Sequence, residues 1–111
     1  MKIPEQGMLL RIFLGEQDQW HQEPLYQAIV ACARKEGLAG ATAVKGFLGF
    51  GKNSHMHTAK LLRLSEDLPI IIEIVDSEEK VQKFIPHLDE MVKEGLITTE
   101  KVSVVMYRSN V

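Results

Sequence analysis

The hydrophobic period of this chain changes in a set order, and that order is what most limits its fold. Residues 8–14 alternate, with Met8, Leu10, Ile12 and Leu14 on one side and Leu9, Arg11 and Phe13 on the other, and Gly15 ends the run. This predicts a strand. After a polar stretch, Pro24 suits the first position of a helix, where its missing N–H would be unpaired in any case. Leu25, Ala28, Ile29, Cys32 and Ala33 then recur at helical spacing, and Gly37 supplies a stop. Residues 41–48 predict a second strand with Thr42, Val44 and Leu48 on one face. Residues 60–64 and 69–75 are the next extended pieces, separated by Ser65, Glu66 and Asp67. The β-branched run Ile70, Ile71, Ile72, Ile74 and Val75 marks the later piece as a central strand. Asp76 and Glu79 resemble a capping box, and Val81, Phe84, Ile85, Leu88, Met91 and Val92 predict a second helix reaching Gly95. Pro86 falls inside it and removes the hydrogen bond to residue 82, at about 3 kcal/mol, so a kink or break is expected there. Val102, Val104 and Met106, alternating with Ser103, Val105 and Tyr107, predict a closing strand that ends near Arg108.

The order β-α-β-β-α-β is the ferredoxin-like arrangement of the α+β class, an antiparallel sheet with both helices on one face. One domain, residues 1–111, is expected, since 45% hydrophobic residues in 111 suffice for a single core and no linker or repeat divides the chain. The other sheet face should be polar if solvated. Instead Leu9 and Phe13, Ile71 and Val75, and Val105 and Tyr107 keep it largely apolar, so a second copy is expected to cover it. Thirteen Lys and Arg against fifteen Asp and Glu argue against a nucleic-acid binder. The lone Cys32, placed on the apolar side of the first helix, excludes an internal disulfide and reads as a small core residue. The start lacks the pattern of a signal peptide and no apolar run approaches the ~20 residues of a membrane span, so a cytoplasmic protein without membrane insertion is expected.

Charge is unevenly spread. Residues 37–65 hold four basic and no acidic residues (Lys45, Lys52, Lys60 and Arg63), whereas the rest of the chain holds nine basic against fifteen acidic. Gly46, Gly49 and Gly51 punctuate the same stretch, where freed backbone N–H groups and lysines suit an anion such as phosphate; a solvated hairpin is the alternative. It is not a P-loop, because Asn53 follows Lys52 where Ser or Thr belongs. Phe47 and Phe50 are expected to anchor this hairpin to the core, with base stacking as the other reading. His55 and His57 share one side of an extended segment and offer a metal site if His21, His87, a carboxylate or symmetry supplies the remaining ligands. No nucleophile elbow, His-Glu-x-x-His motif or paired carboxylates mark an enzyme.

Leu38-Ala39-Gly40-Ala41-Thr42, Val44-Lys45-Gly46-Phe47, Gly49-Phe50-Gly51, His55-Met56-His57, Leu64-Ser65-Glu66-Asp67-Leu68-Pro69 and Glu73-Ile74-Val75-Asp76, with Gly15-Glu16 and Pro24-Leu25-Tyr26, carry a resemblance over nearly the whole chain. The chain resembles the PII-like signalling proteins, and among them a branch of unknown function. That resemblance implies a non-enzymatic homotrimer, a mobile loop at about 46–60 that remodels on binding, and clefts between subunits that take ADP, ATP or AMP. It implies a protein partner such as a transporter or an enzyme; the alternative, read from the residues themselves, is a divalent-metal-binding or metal-sensing trimer that uses His55 and His57. The nucleotide candidates are then Lys45, Gly46, Gly49, Phe50, Gly51 and Lys52, together with Gly95, Lys101 and Arg108 around the last strand. The stretch 95–101 lacks the family's repeated glycines. No Tyr lies between Tyr26 and Tyr107, so the tyrosine modification of some PII proteins has no counterpart here.

Overall fold

The structure is a computed structural model that describes residues 5–51 and 67–109. Strand β1 (Gln6–Gly15) alternates as its sequence predicts, burying Met8, Leu10, Ile12 and Leu14. It is the most paired element, bonded antiparallel to β5 (Pro69–Asp76) on one side and to β6 (Leu96–Ser103) on the other. Strand β4 (Thr42–Lys45) adds to the free side of β5, giving the order β4-β5-β1-β6. Helix α1 (Leu25–Lys35) follows β1, and α2 (Glu78–Met91) follows β5. Apart from one small hairpin, this is the β-α-β-β-α-β order in its ferredoxin-like arrangement. Both helices bury their apolar stripes, Leu25, Ala28, Ile29 and Ala33 from α1 and Val81, Phe84, Leu88 and Met91 from α2, against Ile70, Ile72 and Ile74 of β5 and the inner side of β1. Each buried Ile, Leu or Phe contributes about 1.5–3 kcal/mol by removal from water.

Several local features differ from the pattern expected. The segment after β1 is not a plain loop: β2 (Gln19–Trp20) and β3 (Glu23–Pro24) pair around His21 and Gln22, whose φ values of 49° and 68° make a two-residue turn of the type that favours hairpins. Pro24 therefore closes β3 and caps α1, and the helix starts one residue later than predicted. Gly37 does stop α1. With φ of 81° it lets its own N–H reach Arg34 O and the Leu38 N–H reach Ala33 O, the paired bonds of a Schellman end.

At α2 the cap is Ser77, whose Oγ accepts the Lys80 N–H at 3.2 Å. Asp76 is not part of a capping box. Its carboxylate, 1% exposed, accepts the N–H of Ala39 at 2.9 Å and of Ser77 at 2.7 Å, tying the turn after α1 to the start of α2. Helix α2 also runs through Pro86 without a break, and it ends at Met91 rather than Gly95. Pro86 and Gln82 both lie on the exposed side, so water can satisfy the carbonyl that proline leaves unpaired.

The last strand is displaced toward the N-terminus of its predicted position. Pairing with β1 spans Leu96–Ser103, and only Ile97 of its helix-facing residues is apolar, so this edge strand lacks a clear hydrophobic alternation. Val104 keeps one link, its N–H to Glu5 O at 2.6 Å, and residues 105–109 continue past the sheet. Val105 and Tyr107 thus lie outside the sheet face expected to hold them. Register places Leu9, Phe13, Ile71 and Val75 on that face as predicted and adds Val44 and Leu96, with Arg11, Glu73 and Glu100 as charged residues among them. Residues 60–64, expected to be extended, lie outside the described residues.

Candidate functional site

The glycine-rich stretch leaves β4 at Lys45 and turns at once around Pro69, the first residue of β5. Gly46 donates its N–H to Pro69 O at 2.8 Å, and a Cβ added at Gly46 or Gly49 would come within 2.7 or 3.0 Å of Pro69 Cγ. Close packing on a proline ring therefore accounts for two of the three glycines, and the Gly46 N–H is already engaged. A Cβ added at Gly51 would meet nothing within 4 Å. The wrap turns the intervening side chains outward. Phe47, Leu48 and Phe50 are 89%, 67% and 66% exposed, which overturns the expectation that the aromatics anchor this hairpin to the core.

Lys45 Nζ lies 2.8 Å from Glu16 Oε2, just past the end of β1. The same corner is fastened by Glu16 N–H to Leu68 O at 2.8 Å and Gln17 N–H to Asp67 Oδ1 at 2.9 Å. Spacing along the chain did not reveal Glu16 and Asp67 as partners of the site. Their presence in the Gly15-Glu16 and Asp67-Leu68-Pro69 segments was the one signal. Lys52, His55 and His57 lie outside the described residues, and the described residues contain no cluster of three or more His, Cys, Asp or Glu able to hold a metal. His87, named as a possible third ligand, instead pairs with Glu36 at 3.2 Å.

The second group of candidates is on the far side of the sheet. Gly95 sits where an added Cβ would lie 2.8 Å from Phe13 O, so its lack of a side chain lets β6 begin against β1. Lys101 is exposed on β6 opposite Met8, and Arg108 is exposed beyond the strand. Since β4 and β6 are opposite edges of a four-stranded sheet, three strand spacings, about 14 Å, separate the two groups. One chain does not bring Lys45 and Gly46 to Lys101 and Arg108. A groove of about 300 Å³ between the end of α1 and the start of α2 offers no better site. Its charged groups are already paired, Lys80 Nζ with Gly37 O at 3.0 Å, Lys83 with Glu79 at 3.0 Å and Glu36 with His87.

This fold is similar to that of solved structures. CPII from Thiomonas intermedia, bound to ADP, AMP and acetate, covers 96% of this chain and 94% of its own at a TM-score of 0.65 and 19% identity. The apo form of CPII, a nitrogen regulatory PII-like protein, covers 89% and 91% at 0.60 and 16% identity. The fold is therefore PII-like. The chain belongs to the DUF190 family (Uncharacterized ACR, COG1993), whose pattern matches residues 7–104. It is 37% identical over 97 residues to a UPF0166 protein of Aquifex aeolicus, spanning 87% of this chain and 91% of that one. A UPF0166 protein of Methanocaldococcus jannaschii is 40% identical over 90 residues, 80% and 82% of the two chains. No helix among the described residues is long and apolar enough to cross a membrane.

Proposed function

We propose that this chain is a PII-like regulatory protein of the cytoplasm, a non-enzymatic homotrimer that binds an adenine nucleotide between subunits and presents the loop at about 46–60 to a protein partner, a transporter or an enzyme. The observation that carries the reading is the division of its anion candidates. Lys45, Gly49, Phe50 and Gly51 belong to one edge of the sheet or the turn leaving it, while Gly95, Lys101 and Arg108 belong to the other. Two such half-sites join only where one copy meets the next. The likeness to CPII, which was solved with ADP and AMP, supports the nucleotide class.

The ion pair of Lys45 with Glu16 has a consequence here. A phosphate approaching Lys45 competes with an internal carboxylate, so binding frees Glu16 and couples the ligand to the corner where the loop begins. Thermal denaturation with ATP, ADP or AMP tests the reading. A ligand at 100 times its Kd adds about 2.7 kcal/mol, enough to raise Tm by several degrees, and the rise grows with the logarithm of concentration. If no adenine nucleotide at millimolar concentration moves Tm or gives calorimetric heat, the nucleotide reading is wrong.

A further inference from the structure

Lys45 is the one charged residue between positions 37 and 51, so it supplies the charge with which this edge of the sheet attracts an anion. The neighbouring Gly46 N–H is committed to Pro69 O at 2.8 Å and adds nothing. Yet the ammonium of Lys45 is itself engaged, 2.8 Å from Glu16 Oε2. The two residues sit on the strands that flank β5: Lys45 ends β4 opposite Ile70, and Glu16 follows Gly15, which lies opposite Pro69. Two strand spacings, about 10 Å, separate β4 from β1, a gap that two long side chains span past the first residue of β5.

Glu16 is held in place for this contact. Its N–H reaches Leu68 O at 2.8 Å, the Gln17 N–H reaches Asp67 Oδ1 at 2.9 Å, and the Gly15 N–H reaches Asp18 Oδ2 at 3.0 Å. A Cβ at Gly15 would come within 2.8 Å of Asp67 Oδ1, so the bare backbone of Gly15 is what lets that carboxylate dock. A glutamate on so fixed a stretch of chain meets Lys45 with less loss of freedom than one on a loose loop.

We propose that Glu16 is a built-in competitor at the Lys45 half-site, a tethered carboxylate that an incoming phosphate must displace. The inference rests on the reading of Lys45 as an anion-binding residue above and adds what sets the affinity there. A tethered group competes at an effective concentration of about millimolar. Such competition weakens every anion by the same factor, so it acts as a threshold. A ligand carboxylate only replaces Glu16 with its like and stays below that threshold. A terminal phosphate, with a charge of about −1.5 to −2 near pH 7 and three acceptor oxygens, clears it. The class of ligand admitted at low concentration is therefore a phosphate or polyphosphate, not a carboxylic acid.

Full-length Glu16→Gln tests this, since it keeps the side-chain length and the backbone bond to Leu68 O while removing the charge. Losing a competitor as strong as an exposed ion pair should tighten ADP and inorganic pyrophosphate about two- to sixfold by calorimetry. Adenosine, which carries no charge, should bind the two proteins alike, a result that a merely structural role for Glu16 would not give. In Lys45→Gln, adding Glu16→Gln should change the affinity for neither anion. Equal ADP affinity in wild type and Glu16→Gln, or an adenosine affinity that moves as much as that of ADP, overturns the competitor and leaves the nucleotide reading standing. Tighter pyrophosphate in Glu16→Gln, with no adenine nucleotide bound by either protein, supports the competitor and overturns the nucleotide reading. No heat from ADP or pyrophosphate with either protein at millimolar concentration overturns both.

Discussion

Replacing Asp76 with alanine removes the acceptor from two backbone donors, Ala39 N–H at 2.9 Å and Ser77 N–H at 2.7 Å, at a side chain 1% exposed. A buried donor left without a partner costs about 1–3 kcal/mol. Both bonds are only partly buried, and water entering the gap will recover some of the loss, so about 2–4 kcal/mol is expected. Urea unfolding followed by circular dichroism reads it directly. With a slope of about 1–2 kcal/mol/M for a domain of this size, the midpoint should fall by about 1–4 M. Asp76→Asn keeps one acceptor oxygen but turns an amide toward the other donor, and should fall between the two. Ser77→Ala removes only the cap to Lys80 N–H and should cost about 1 kcal/mol. If Asp76→Ala costs no more than Ser77→Ala, then Asp76 acts as an ordinary helix-start carboxylate, and the tie between the two crossovers is not a stabilising feature.

Three further outcomes are expected. Pro86→Ala restores a donor to the helix bond missing at Gln82 and should stabilise by about 1–3 kcal/mol in the same urea assay; a loss of stability would mean that the proline ring packs against something the helix needs. His21→Asn with Gln22→Gly places better residues at two positive-φ positions and should raise Tm by a few degrees, whereas an unchanged Tm would show that the turn carries no strain. Burial pushes the Cys32 thiol above its ordinary value of 9.0, so the folded chain holds that proton more tightly than the unfolded chain. Its contribution to stability is complete below pH 9 and is lost as pH rises through the folded value. Cys32→Ser should flatten the alkaline part of a stability profile, and an equal slope in both proteins would refute the linkage.

The elements that bury one clean face were legible in the sequence. The β1 alternation, the β5 isoleucines and the two helix stripes need only the periods 2 and 3.6, and the structure has all four. Elements whose shape depends on distant residues were not legible. β6 owes its register to β1 and shows almost no apolar alternation of its own, so the half-buried Val104 and the exposed Val105 and Met106 drew the predicted strand several residues too far along. The glycines of the 46–51 turn suggested an anion loop because Pro69, which two of them enclose, is about twenty residues away in the chain. Asp76 had the position of a helix cap, and only the fold brings Ala39 close enough to claim it.

The open sheet face shows the same division at one row of residues. Alternation placed Arg11 between Leu9 and Phe13 on that face, where a lone cation would be a poor thing to cover. What the sequence hid is that Glu73, 62 residues on, lies directly across from it on β5, with Arg11 Nε to Glu73 Oε2 at 2.7 Å. Glu100, 89 residues on, meets Nη1 at 3.1 Å from β6. The hydrogen bond to Glu73 is the main cause that raises the Arg11 pKa, which reinforces the charge an arginine already carries in proteins. One cation and two carboxylates leave the row with a net negative charge amid Leu9, Phe13, Ile71 and Val75. Exposed to water, as a single chain leaves it, such a row contributes little to stability. Covered by another copy, its unused carboxylate oxygens must find donors, which rewards only those arrangements of copies that supply them. The apolar residues favour covering this face, and the polar row restricts how it is covered.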